Sequence, residues 1–173
     1  MCGIVGLFLK NDAMQPDLGA LLTGMLIKMT DRGPDSAGIA IYGGAGQGLK
    51  ITIQSDTPET DFDGLETALS AAAGTLVSMS VVDTHAVLHL PVTARDATVA
   101  ALEARGLRIM GIGEAMEIYK EVGLPRDVAA RFRLAEMGGT HGIGHTRMAT
   151  ESAVTTLGAH PFSTADDQCL GHN

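Results

Sequence analysis

The spacing of apolar residues changes repeatedly along the chain, and this most constrains what it can fold into. GIVGLFL at 3–9 reads as a buried strand, closed by the KND turn and by Pro16. From Asp17 the period switches: Leu18, Leu21, Leu22, Met25, Leu26 and Met29 recur every three or four residues and predict an amphipathic helix ending near Thr30. The period then returns to two. SAGIAIY at 36–42 and LKITIQ at 49–54 predict strands, the second as hairpin partner of the first across GGAGQG. DRGPDSAG must be a loop, because Gly33-Pro34 breaks helix and strand alike.

The middle of the chain continues the mixture. Residues 61–73 read as helix, and 75–90 as extended structure broken near Asp83. Thr93 to Arg105 predicts a helix, with Thr93 and Asp96 spaced as a capping box. LRIMGI follows as a strand, EAMEIYKEV as a helix, and Pro125 opens a further helix through Ala135. GGTHGIGHTRMAT predicts a strand running into a loop, and the segment from Glu151 reads as irregular. Residues 57–138 are therefore expected to form an α/β insert between two terminal blocks. The closing CLGHN completes no helix or strand, so a parent polypeptide continuing past Asn173 is expected.

Composition excludes several function classes. Twenty acidic against twelve basic residues leave a net charge of −8, and no basic stripe or arm offers a nucleic-acid footprint. Two cysteines, Cys2 and Cys169, are too few for a disulfide scaffold and fit a reducing, cytoplasmic setting. The first ten residues lack a basic leader and a cleavage site, and no apolar stretch approaches the ~20 residues of a membrane span. His85 and His89 lie in a β-like stretch without the HExxH glutamate, so no metal site is expected there.

Four clusters carry candidate chemistry: Cys2, DRGPDSAG, HTRMAT and AHPF…LGHN. A cysteine at position two has a specific use. Its small side chain permits removal of Met1, and the freed α-amine has a reference pKa of roughly 7.7–8.0. Part of that amine is unprotonated near neutral pH and can take the thiol proton. Such a nucleophile carries its own base.

Taken together, these residues resemble the class II glutamine amidotransferase domain, an amino-terminal-nucleophile (Ntn) hydrolase. CGIVG matches the family's start, RGPDSAG (Arg32 to Gly38) its first glutamine-site loop, and HTRMAT (His145 to Thr150) its TRWAT-like loop. His160-Pro161-Phe162 matches its HPF step, and Gly171-His172-Asn173 its HNG step up to the penultimate residue. The resemblance implies an α+β fold, a four-layer α/β/β/α sandwich with two antiparallel sheets. It covers 1–173 as a C-terminally incomplete amidotransferase domain, with 57–138 inserted.

The resemblance also implies roles. Cys2 would attack the side-chain amide of glutamine and pass through a γ-glutamyl thioester. Asn173 would donate to the oxyanion. Arg147 would clamp the substrate carboxylate with its planar fork. Arg32 and Asp35 would organise the loop beside the nucleophile, Thr150 would fix the arginine loop, and His160 joins the substrate-binding set. Met148 and Glu151 replace the family's usual tryptophan and histidine. The longer insert is most similar to glutamate synthase and N-methylglutamate synthase subunits. This implies a hetero-oligomeric synthase partner that takes the ammonia and carries FMN and an iron–sulfur cluster, with no cofactor or metal in this chain. A non-catalytic amidotransferase-like subunit is the alternative.

Overall fold

The computed structural model describes residues 1–44, 48–150 and 153–173. Ten strands and five α-helices follow one another as β1 (Gly3–Phe8), α1 (Leu18–Lys28), β2 (Ser36–Tyr42), β3 (Leu49–Gln54), α2 (Pro58–Asp61), α3 (Leu65–Ala73), β4 (Ser78–Val82), β5 (His85–Leu90), α4 (Arg95–Glu103), β6 (Arg108–Gly113), β7 (Met116–Val122), α5 (Pro125–Arg131), β8 (His141–Arg147), β9 (Phe162–Ala165) and β10 (Gln168–Leu170) among the described residues. The first sheet runs β1-β8-β2-β7 and the second β4-β5-β3-β6, both antiparallel throughout; β9 and β10 form a separate hairpin. Helices flank the two sheets, as expected of an αββα Ntn-hydrolase-like sandwich.

The helical spacing in α1 buries Leu22 and Leu26 against Val5, Ala37, Ile39 and Ile41 of the first sheet, joined there by Val128 and Ala129 of α5. Leu49, Ile51 and Ile53 of β3 instead meet Leu65 and Leu69 of α3 and Leu102 of α4. Each sheet thus buries an apolar face under its own pair of helices.

Several expectations fail for identifiable reasons. LKITIQ forms a strand but pairs with β5 and β6 of the other sheet, not with β2. Its polar face is buried too: Thr52 Oγ1 accepts from the Ile118 N–H at 3.4 Å, and Lys50 pairs with Glu117 at 2.7 Å, both across to β7. EAMEIYKEV is a strand, β7, rather than a helix. Its good helix formers are overridden by a complete register against β2, from Ser36↔Val122 to Tyr42↔Met116. The charged residues of β7 have partners: Glu117 with Lys50, Glu121 with Arg131, and Lys120 with backbone carbonyls.

Smaller corrections follow the same logic. Thr93 lies inside a 3-10 turn, Val92–Ala94, so α4 starts at Arg95 without a side-chain cap. The helix opened by Pro125 stops at Arg131, and Arg133 turns left-handed (φ 51°). The segment from Glu151 contains the β9–β10 hairpin. GGAGQG lies partly outside the described residues, as do Glu151 and Ser152.

That hairpin is anchored by one side chain. Asp167, itself left-handed at φ 55°, accepts the backbone N–H groups of Glu114, Ala115 and Met116, each at 2.9 Å. Burial alone would raise its carboxyl; the three N–H donors and Lys50 outweigh burial and hold it below its ordinary value. Beside it, Asp166 pairs with Arg95 of α4 at 2.8 Å. Asp167→Asn keeps a residue tolerant of the left-handed backbone but loses the charge and one acceptor, so it should cost about 2 kcal/mol in urea unfolding. An unchanged unfolding midpoint would remove Asp167 as the anchor.

Candidate active site

Strand order brings the two ends of the chain together. β1 lies at the edge of its sheet beside β8, with Gly3 opposite Thr146. Continuing that register sets Cys2 beside Arg147. On the other flank of β8, Ser36 faces Arg147, so the RGP turn reaches the same point. A cleft of about 220 Å³ opens here, lined by Cys2, Gly3, Ile4, Met29, Arg32 and Asn173.

The decisive contact joins the second residue to the last. The Cys2 backbone N–H donates to Asn173 Oδ1 at 2.9 Å across 171 residues of sequence. Because that donor requires an oxygen, the amide orientation is fixed, and its Nδ2 end remains a donor. Met1 occupies the mouth of the site: its amine donates to Met148 Sδ at 3.4 Å, and Arg32 Nη2 lies 4.0 Å from its sulfur. Met148 thus stands near the nucleophile, where the family's tryptophan is expected.

Asp35 and Arg147 form a unit. The Asp35 N–H donates to the Arg147 carbonyl at 3.1 Å, and Asp35 Oδ2 accepts the Ala149 N–H at 2.8 Å. Arg147 Nη1 reaches the Ala153 carbonyl at 3.4 Å. Gly33 is required by close approach, since a Cβ there would fall 2.4 Å from the Thr146 carbonyl carbon and 2.5 Å from the Arg147 nitrogen. Gly3, after the nucleophile, is also required by close approach: a Cβ there would meet Thr146 Oγ1 at 2.8 Å and Met29 Cβ at 2.9 Å. It lets β1 pack close to α1 and β8.

The other expected residues are placed differently. Thr150 is exposed at the end of the arginine loop. His160 is buried and does not line the cleft. Its ring packs 4.3 Å from His145, 4.6 Å from His172 and 4.4 Å from Phe162, and among the described residues neither ring nitrogen has a hydrogen-bond partner. Burial, then the neighbouring His145, His172, Lys120 and Arg147, push it down to about 4.

One supporting residue escaped the sequence reading. Lys120 Nζ donates to the carbonyls of Ala159 (2.9 Å) and Leu157 (3.3 Å) and lies 4.6 Å from the Phe162 ring centroid. Burial pushes it down to about 8. It ties the segment before His160 to β7, and reading β7 as a helix concealed it. His85 and His89, four residues apart on β5, are separated by about 13 Å of extended chain and cannot share one ion.

The chain is 63% identical over 177 residues to "Glutamine amidotransferase-like protein GlxB" of Rhizobium meliloti, matching all of this chain and 58% of that protein. It is 33% identical over 175 residues to "Putative glutamine amidotransferase" of Methanothermobacter thermautotrophicus, covering 94% of this chain and 56% of that protein. Homology and fold support the class II glutamine amidotransferase family of Ntn hydrolases. A shorter match, 33% identity over 76 residues, links 42% of the chain to 13% of a glutamine–fructose-6-phosphate aminotransferase of Methanococcus maripaludis. No family model matches. The chain spans little more than half the length of its first two amidotransferase relatives. Among the described residues, no helix is long and apolar enough to cross a membrane.

Proposed function

We propose that this domain, once Met1 is removed, hydrolyses the side-chain amide of glutamine through a Cys2 thioester. The observation that carries the reading is the 2.9 Å contact between the Cys2 nitrogen and Asn173 Oδ1. As a free amine, that nitrogen would still donate to Asn173, leaving its lone pair to take the thiol proton. The thiolate attacks the amide carbon, and Asn173 Nδ2 donates to the resulting oxyanion. Ammonia leaves with the proton, and water then releases glutamate from the thioester. Arg147, with Arg32 nearby, receives the substrate carboxylate.

The ammonia passes to a synthase domain or subunit of the glutamate synthase or N-methylglutamate synthase kind, in a cytoplasmic hetero-oligomer. Flavin and an iron–sulfur cluster would belong to that partner, because two cysteines cannot ligate a cluster that takes four. The rival is a non-catalytic amidotransferase-like subunit. In that reading Met1 stays attached, and Cys2 offers a peptide N–H rather than an amine.

Intact mass and ammonia release separate the two. Release from glutamine by chains lacking Met1, and its absence in chains retaining it, is the expected result. Equal release by chains retaining Met1 would overturn the amine-base mechanism. No release by either form, even from the full-length protein, would leave the non-catalytic reading.

A further inference from the structure

Asn173 lies three residues beyond β10, and its placement decides where an oxyanion would be received. The preceding residue is held from below. His145 sits in the middle strand β8, opposite Ile4 of β1 and Gly38 of β2, fully buried, with Nε2 2.9 Å from the His172 carbonyl oxygen. A carbonyl can only accept, so Nε2 must carry the proton; with burial holding the ring below its ordinary pKa, Nδ1 is the bare nitrogen. Nδ1 is indeed buried without a partner among the described residues. His160 packs against this contact, tilted 32° to His145 with ring centroids 4.3 Å apart and nearly perpendicular to His172, at 84° and 4.6 Å.

We propose that His145 is the positioning residue for the oxyanion side chain, fixing the His172 carbonyl through Nε2–H and thereby setting the Asn173 amide against Cys2. The connection is continuous: β8 carries His145, His145 holds His172, and Asn173 closes onto the Cys2 nitrogen. His145 touches neither the nucleophile nor the cleft. The kinetic consequence rests on the glutaminase reading above; the tautomer does not.

Two measurements on the chain lacking Met1 test this. Long-range proton–nitrogen NMR near pH 7 should find His145 as the Nε2–H tautomer with an unprotonated Nδ1; the Nδ1–H tautomer or an imidazolium would overturn the proposal. In kinetics, His145→Leu removes the donor, and His145→Gln replaces it near the Nε2 position. The leucine chain should lose roughly 10- to 100-fold in kcat, the scale of a small misplacement, with KM for glutamine held within about 3-fold. The glutamine chain should recover most of that loss. Equal loss in both chains, or a loss confined to KM, would overturn the positioning role. If the unsubstituted chain releases no ammonia, the functional reading fails while the NMR result still decides the contact.

Discussion

A Cys2→Ala chain freed of Met1 should release ammonia from glutamine roughly 10⁶-fold more slowly than the unsubstituted chain, the scale seen when a hydrolase loses its nucleophile. The loss should fall on kcat. Arg32, Arg147 and Asn173 are untouched, so calorimetry should find glutamine bound within about 3-fold of the original affinity. The other cysteine cannot substitute. Cys169 packs beside Ala40, Met116 and Ile118, takes a hydrogen bond from Tyr42 at 3.2 Å, and has its thiol pushed up by burial. A raised thiol carries little thiolate at neutral pH. A Cys2→Ala chain that retained the original rate would move the nucleophile elsewhere and sink the mechanism.

Short motifs in the sequence named candidate site residues and the fold class, while several elements around them went unread. Cys2, Arg32 and Asn173 come from short motifs whose residue types serve particular chemistry and line one cleft, and strand pairing sets Asp35 and Arg147 beside it. His160 is the exception, since a motif reveals that a residue is used but not whether it faces substrate or packs beneath it. β1 and α1 were legible because each buries mainly one face. β7 was not: Lys120 and Glu121 are almost as buried as Ile118, so charge no longer marks solvent. The partner of β3 was equally hidden. Alternation shows that a strand has two faces, but the partners of Lys50 and Thr52 come from β7, more than sixty residues away. The β9–β10 hairpin is held by Asp167 rather than by apolar periodicity, which is why it read as irregular.

Acid should unfold this protein well before its carboxylates are neutralised, and His85 is the main reason. Its ring is fully buried, 4.8 Å edge-on from Phe132 and 5.9 Å from Tyr119. Among the described residues Nε2 has no partner, and Nδ1 meets only Thr84 Oγ1 at 3.1 Å. Burial, with the cations of Lys120 and Arg131, pushes it down to about 3, against a weaker upward pull from Asp83. In the unfolded chain a histidine titrates near 6.5, as His160 does too, although folding holds it at about 4. Between those values the unfolded state binds the extra protons. Stability is therefore fully present above about 6.5 and falls as pH drops, by up to ~1.4 kcal/mol per pH unit for each histidine. From pH 6.5 to 4.5 His85 would remove roughly 2 kcal/mol, with a smaller, solvent-screened share from His160, a large fraction of the stability of a marginal domain. Lys120 does not offset this, since a lysine lowered to about 8 is charged in both states across that window. Urea midpoints at several pH values measure the slope. His85→Phe retains a flat ring against Phe132 and cannot titrate, so its slope should fall by close to one proton even if the larger ring lowers stability at pH 7. A slope unchanged by that substitution would place the acid sensitivity elsewhere.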